Sequence, residues 1–553
     1  MHRQLIEDYS RHVFALVVLC LVIYFPYLGA RDFWDVETHF AEVIRVMALK
    51  GNYFLPTMNG QLWTENPPLY FWIAVLFSWL FGSVSEFTIR LPSALSATEV
   101  ILLYYLFLRK RFDARLAFLS TIVLATSVLT VHVERHVPIN MTFYLFVILA
   151  VFLVMEVVVF DSVRLRDAYG VWFFIALACL TNGVAGLAIP AAIVFPYVLI
   201  QRCWKRALAL RPVTGSLLFL AIIGIWVACV AWQKPDGWRE VVFSQLRLLH
   251  HTDHTSVDHQ FFFQFPLAFT PWAFLLVPAV ISLWPKRSGI WEKPVLFMLI
   301  WFLSTLVFAE SFLGYHSHYV FLTGFPAALL IGAYLDNLFW TADARVGVWT
   351  HRFVLLLVFI LVVAGITGPP IIFSRSPVLL IPALALAITA IVFSACFYFA
   401  AKRSNYVALI CGFTILPVIV NIVLQGLLFP SLNALHGRGF AEQLGTLGRG
   451  QTEVPIVLAA STRVNFFNYY SGIDRFETME KGEDMIRFLS RREGPIYILG
   501  REGKLSDLKE LLRGDFSVVL TGTTVRGNWT VLSPCVDGCN AIPLLAERSN
   551  TKN

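Results

Sequence analysis

Between Val13 and Leu428 the chain returns repeatedly to apolar runs long enough to cross a bilayer, and that recurrence leaves few folds open to it. Hydrocarbon offers no partner to a backbone N–H or C=O, so each run must be a helix that satisfies its own backbone. Hydrophobic residues make up 58% of the 553 and charged residues 14%, against about a quarter charged in an ordinary soluble domain. The expected fold class is an all-α polytopic membrane domain followed by a small α/β extracytoplasmic domain. No small-residue cleavage site follows Phe14 to Tyr27, so the first run reads as a membrane segment and not as a signal peptide.

The basic residues set the threading. They fall in short clusters between apolar runs: Arg109-Lys110-Arg111 with Arg115, Arg164 and Arg166, Arg202 with Lys205 and Arg206, Lys286-Arg287, Arg345 and Arg352, and Lys402-Arg403. Split this way, the net charge of +7 marks cytoplasmic loops and does not point to nucleic acid. Putting every cluster inside predicts thirteen spans, at 13–29, 94–108, 116–132, 141–160, 170–184, 185–201, 214–232, 264–284, 294–311, 319–338, 353–368, 379–400 and 406–428. Segment 68–84 then begins and ends outside, and reads as an interfacial or re-entrant helix. The N-terminus is cytoplasmic and the tail external. Residues 1–429 form the membrane domain, with interfacial helices in the first external loop (30–93), and 430–553 the external domain. In that tail 454–460, 494–500 and 516–522 read as strands, with amphipathic helices at 482–492 and 504–514. Cys535 and Cys539, in an external CVDGC, suit a short disulfide.

Polar chemistry gathers on the outer face. The stretch from Arg31 to Pro68 holds Asp35, Glu37 and His39 at the start of a helical pattern whose Phe40, Val43, Ile44 and Met47 share one apolar face. Carboxylates this close to hydrocarbon are costly and are usually kept for function, although an acidic residue ahead of a helix also serves simply as a cap. Glu65-Asn66-Pro67-Pro68 forms a rigid turn into the next helix. His250-His251-Thr252-Asp253-His254 with Asp258-His259 could bind a divalent metal or a phosphate, but lacks strict ligand spacing; His251, His254 and Glu65 are the candidate ligands. Tyr315-His316-Ser317-His318-Tyr319 lies in a short external turn, and Glu134-Arg135-His136 with Asn140 completes the set.

In their order these patches resemble the GT-C fold membrane glycosyltransferases of the ArnT-like and protein O-mannosyltransferase-like superfamily. The resemblance rests on the acidic first loop, NYFLPTMNGQLWTENPPLYFW, RLPSAL at 90–95, TNGVAGLAIP at 181–190 and HYVFLTGFPAALLIG at 318–332. It implies a sugar moved, with inversion, from a polyprenyl-phosphate-linked donor to an outer-leaflet or periplasmic acceptor: lipid A or another glycolipid, a glycan, or a protein. It implies Asp35 and Glu37 as catalytic residues, either one as general base or as a group that positions the acceptor. The phosphate would be held by His39, Arg135 and a Tyr or His among Tyr315, His316, His318 and Tyr319, with Glu65, Asn66 and Asn140 also binding substrate. Three positions depart from the family pattern: Asn66 and Asn182 stand where lysines are usual, and Asn140 where a second Asp is. With two carboxylates and fewer cations, a hydroxyl acceptor, which needs a base, fits better than a phosphate. The location implied is the cytoplasmic (inner) membrane. The rival readings are a transporter or flippase for a polyprenyl-linked lipid, which would need charge midway through its spans, and an envelope-assembly scaffold.

Overall fold

The computed structural model describes residues 2–34, 36–136, 138–248, 265, 268–283, 292–312, 317–340, 344–449, 456–458, 464–479, 488, 497–503, 505, 516–524 and 527–534. The chain divides into two compact units. The first comprises Met1–Ala30, Tyr53–Leu55 and Thr64–Leu428; the second comprises Arg31–Asn52, Pro56–Trp63 and Phe429–Asn553.

The first unit is a helical membrane bundle. Among the described residues seven helices are long and apolar enough to cross a membrane, or eight if one bent pair is a single span. It opens with α1 (His2–Tyr24). In chain order the second unit's α2 (Val36–Lys50) comes next, and then, back in the first unit, α3 (Leu69–Leu80). Its 12 residues rise about 18 Å, well short of a hydrocarbon core of about 30 Å. Then come α4 (Glu86–Arg111), started by a Ser85–Thr88 capping box, and α5 (Ala114–Ala125) with α6 (Val128–His136).

The run 116–132, expected as one span, is broken: α5 and α6 meet at 53°. Hydroxyls explain the break. Ser127 Oγ and Thr130 Oγ1 both donate to the Leu124 carbonyl, at 2.9 and 2.7 Å, while Thr130 N–H donates to Ser127 Oγ. Side chains thereby replace the helix ladder at the corner.

Next come α7 (Pro138–Val154), which continues as a π-helical turn over Met155–Val159, α8 (Leu165–Asn182), α9 (Ala185–Gln201), α10 (Trp204–Ala209), α11 (Pro212–Gln233) and α12 (Gly237–Leu248). Further helices cover Glu292–Phe312, Gly324–Trp340, Ala344–Arg375, Leu380–Lys402 and Tyr406–Val423. Within the expected span 264–284, the described residues include a short 3-10 turn, Trp272–Leu275, and a helix, Leu276–Leu283. Aromatic packing fills the interior: Phe107 stacks on Phe152 with centroids 4.3 Å apart, and the Tyr104 hydroxyl donates to the Phe325 carbonyl at 2.7 Å. Where α4 ends in Arg109-Lys110-Arg111, Lys110 pairs with Glu156 at 2.8 Å and Arg111 binds the same carboxylate.

The second unit joins pieces far apart in sequence. A hairpin of β1 (Thr57–Met58) and β2 (Gln61–Leu62) turns on Asn59-Gly60, both with positive φ (50° and 77°), as a tight hairpin with the right-handed strand twist requires. The C-terminal sheet has five strands in the order β4-β3-β5-β7-β6. These are β3 (Ile456–Leu458), β4 (Glu477–Thr478), β5 (Tyr497–Arg501), β6 (Phe516–Thr524) and β7 (Gly527–Pro534). β3 pairs parallel with β4 and β5, whereas β7 runs antiparallel to β5 and β6. The strand expected at 454–460 is β3, that at 494–500 is β5 and that at 516–522 is β6. The expected helices at 482–492 and 504–514 fall almost wholly outside the described residues, as do Cys535 and Cys539.

The apolar face of α2 was expected to lie on lipid, and protein covers it instead. Phe40, Val43, Ile44 and Met47 are buried, and α2 packs against the helix Val464–Ser471. Phe33, just ahead of α2, donates its N–H to the Tyr470 hydroxyl at 2.8 Å.

Candidate functional site

In the first unit the polar chemistry centres on the turn before α3. Asn66 Nδ2 donates to Asn182 Oδ1 at 2.9 Å, and Asn182 Nδ2 donates to the Tyr319 hydroxyl at 3.2 Å. Asn182 ends α8, and Tyr319 sits in a 3-10 turn over Ser317–Thr323. This ladder of neutral donors runs through both positions where the resemblance led us to expect a lysine. Gln245 of α12 donates from Nε2 to the carbonyls of Thr64 and Glu65, at 2.8 and 3.0 Å, and Ser244 Oγ adds a bond to Thr64 at 3.0 Å. Glu65 itself presents an exposed side chain, and no cation pairs with it among the described residues. Partial burial of its carboxyl nevertheless raises its pKa above the ordinary value, because a charged carboxylate is less welcome there than a neutral acid.

Arg135 is committed to the backbone. It is 2% exposed, pairs with Glu134 at 2.8 Å and donates from Nη2 to the carbonyls of Ile23 and Pro26, at 3.1 and 2.9 Å. A guanidinium used this way closes the C-terminal end of α1, whose carbonyls have no helical partner. Asn140 and Tyr144 stand one turn apart on α7, a spacing that puts both on one face. Both are fully buried, and among the described residues neither Asn140 Nδ2 nor the Tyr144 hydroxyl has a hydrogen-bond partner. Tyr144 lies beside Tyr319, with centroids 6.4 Å apart.

In the second unit Glu37 is sealed. Its Oε2 accepts from Arg31 Nη2 at 2.8 Å and from the Trp34 N–H at 3.1 Å, and the ion-paired side chains are only 3% and 1% exposed. It therefore caps α2, the role an acidic residue ordinarily takes at a helix N-terminus. His39, half-buried, meets the Trp63 ring edge-on at 5.9 Å. Asp32 Oδ1 meets Arg438 at 3.2 Å.

Glu42, fully buried, accepts two 2.8 Å bonds from Arg45, which also binds Asp474. Burial outweighs the guanidinium and pushes the Glu42 pKa up to about 7. The unfolded value is about 4.3, so between the two the folded chain holds the extra proton. Stability of this unit should therefore fall as pH rises from about 4.5 towards 7. Thermal unfolding across that range should show the slope, and Glu42→Gln should flatten it.

Asp35, His251, His254, Tyr315 and His316 lie outside the described residues, as does the side chain of His318. Among the described residues no group of three or more His, Cys, Asp or Glu could hold a metal ion. Three residues of the turn's surroundings escaped sequence reasoning: Tyr144, whose signal was the four-residue step from Asn140; Asn182, noted only as a departure and not as the partner of Asn66; and Gln245. The last is 180 residues from the carbonyl it holds, and a separation of that size leaves no local pattern.

Comparison with known proteins extends the picture. Residues 65–232 match the family of dolichyl-phosphate-mannose-protein mannosyltransferases. The undecaprenyl phosphate-alpha-4-amino-4-deoxy-L-arabinose arabinosyl transferase of Erwinia tasmaniensis is 27% identical over 338 residues, which is 58% of this chain and 59% of that protein's length. The chain thus spans about three fifths of the length of that relative. The crystal structure of ArnT from Cupriavidus metallidurans in the apo state superposes with a TM-score of 0.75 at 18% identity, covering 95% of this chain and 98% of that one. Its undecaprenyl phosphate-bound form gives 0.73 at 19% identity, covering 94% and 97%. The chain is a polytopic membrane protein of the GT-C fold class. Within that class the particular fold it shares is that of ArnT, from end to end.

Proposed function

We propose that this chain is an integral-membrane glycosyltransferase that moves a sugar, with inversion, from a polyprenyl-phosphate-linked donor to an outer-leaflet or periplasmic acceptor. The reading rests on one observation above the others: the end-to-end likeness to ArnT, including its undecaprenyl phosphate-bound form. The acceptor is lipid A or another glycolipid, a glycan or a protein, and we favour an acceptor hydroxyl. Asp35 is the base that takes its proton, with Glu37 supporting the loop that carries it. Glu65, Asn66, Asn140 and Tyr319 bind the donor; His39, Tyr315, His316 and His318 complete the substrate contacts. Arg135 contributes by fixing the end of α1. A divalent metal at His251, His254 and Glu65 is the one cofactor this reading would admit.

The membrane is the cytoplasmic one, crossed thirteen times by residues 1–429, with the N-terminus inside and 430–553 outside. Segment 68–84 stays on the outer face. Ser83→Cys, in the exposed turn after α3, should therefore react with a membrane-impermeant maleimide added outside intact cells. Labelling only after the cytoplasm is opened would mean that the segment crosses.

A flippase would need unpaired charge midway through its spans. Glu156 lies at a span end with Lys110 and Arg111 on it, so the residue a flippase would use is Glu99, midway along α4, and Glu99→Gln would then abolish transport. The deciding experiment is mass spectrometry of envelope lipids and glycans with and without the chain, paired with transfer by the purified protein from a polyprenyl-phosphate sugar. A loss of one defined sugar adduct supports the proposal. Unchanged adducts together with altered sidedness of the polyprenyl lipid would favour transport.

A further inference from the structure

The turn Thr64-Glu65-Asn66-Pro67-Pro68 is locked at one end by its own sequence. Pro67 and Pro68 fix their φ angles, and a residue ahead of proline is confined to extended backbone. Asn66 is tied to Asn182 by the 2.9 Å amide bond. Nothing in the sequence fixes the other end, Thr64 and Glu65, yet there the exposed carboxylate must be aimed. Gln245 supplies the missing restraint. Its amide nitrogen bridges the two consecutive carbonyls of Thr64 and Glu65, at 2.8 and 3.0 Å. Two carbonyl acceptors leave only one assignment for the amide, nitrogen towards the turn.

The backbone beneath is built to admit this side chain. Gly183, directly after the ladder residue Asn182, has φ +62°. A Cβ there would overlap Gln245 Oε1 and stand 2.7 Å from its Cδ. Both the conformation and the space therefore demand glycine. The end of α8 thus holds Asn66 through Asn182 and makes room for Gln245 through Gly183. Two neighbouring residues of one helix end serve two grips on one turn.

We infer that Gln245 is a positioning residue for donor binding, fixing the backbone of Glu65 so that its carboxylate and the Asn66 amide meet the polyprenyl-phosphate sugar in one geometry. This rests on the proposed function for the identity of the ligand, but not for the restraint itself. Ser244, whose hydroxyl is shared between the Thr64 carbonyl at 3.0 Å and its own helix's Val241 carbonyl at 2.8 Å, is the minor member of the pair.

The test uses the full-length protein in lipid nanodiscs. Gln245→Met keeps the length and apolar stem and removes the amide nitrogen, whereas Gln245→Lys restores a donor within reach of both carbonyls. With Gln245→Met, KM for the polyprenyl-phosphate sugar and Kd for polyprenyl phosphate alone should rise about tenfold, the worth of roughly one net hydrogen bond. The value of kcat should change less than about twofold, the signature of lost uniform binding. Gln245→Lys should recover most of the affinity. A merely structural lesion would instead lower the active fraction, so that apparent kcat fell at constant KM and lysine gave no rescue; that pattern overturns the inference.

Amide exchange of the peptide Thr64–Tyr70, followed by mass spectrometry, reads the restraint without any ligand. It should be faster in Gln245→Met and near wild type in Gln245→Lys. Unchanged exchange in Gln245→Met overturns the inference whatever the substrate. If the wild type neither bound polyprenyl phosphate nor transferred sugar, the functional reading would fall, and the exchange result alone would judge the grip.

Discussion

Asp35→Asn should lower sugar transfer by about 10²- to 10⁴-fold, the usual worth of a positioned general base, and leave the amount of folded protein unchanged. The prediction follows from what its neighbour is doing. Two carboxylates stand at the start of α2, but Glu37 is held by the Arg31 guanidinium and the Trp34 N–H and is only 1% exposed. A carboxylate engaged by a buried guanidinium and a backbone N–H is committed to the start of its helix, and its burial keeps a substrate hydroxyl away from it. Glu37→Gln should therefore act mainly through stability, with the loss of activity tracking the loss of folded protein. The measurement is the single-turnover rate of transfer from a polyprenyl-phosphate sugar, normalised to folded protein by size-exclusion peak area. If Asp35→Asn retained the wild-type rate while Glu37→Gln abolished it without unfolding, the assignment would have to be reversed. If both retained it, the acceptor would be one that carries its own negative charge and needs no base.

The contrast between these two residues marks where the sequence stops being informative. Apolar length and the spacing of Arg109-Lys110-Arg111, Arg202, Lys205 and Arg206 are local properties, and they located the helices of the membrane bundle closely. Charge logic sets the run 68–84 apart from the expected spans, and its helix α3 is 12 residues long. Packing between distant segments has no such signature. Nothing in Val36–Lys50 says that its apolar face is met by Val464–Ser471, because an amphipathic pattern reports that a face is covered and not by what. For the same reason lipid was a natural but mistaken partner for that face.

The corner between α5 and α6 was legible only in principle. Thr126, Ser127 and Thr130 were visible, but hydroxyls in membrane helices bond their own backbone far more often than they bend it this far. In the turn, Glu65 and Asn66 stood out as residue types, whereas Gln245 did not, since a lone glutamine on a polar helix carries no pattern until its partner is known. Arg31 sat in plain view six residues before Glu37 and was read as the flank of the motif. Its burial is what makes it decisive.

Arg31→Ala should be the most damaging single change in the second unit, costing about 3–5 kcal/mol, because it strands one half of a buried ion pair. The side chains are 3% and 1% exposed, so water cannot replace the guanidinium. Glu37 would lose the guanidinium while its bond from the Trp34 N–H remained. The start of α2 would then have to open or rearrange around the buried carboxylate. The Arg31 guanidinium also lies over the Phe429 ring at 5.6 Å, so its removal leaves an apolar void as well as a charge. Thermal unfolding of the purified full chain should show an early transition for this unit, with the membrane helices melting later. The double variant Arg31→Met with Glu37→Leu tests the cause. If the cost comes from an unpaired charge, replacing both partners with apolar groups of similar size should restore most of the lost stability, since a buried pair is worth little against a well-packed apolar substitute. A double variant as unstable as Arg31→Ala would show that the pair is needed for the shape it imposes on the first residues of α2, through the bond to Trp34, and not for its charge balance.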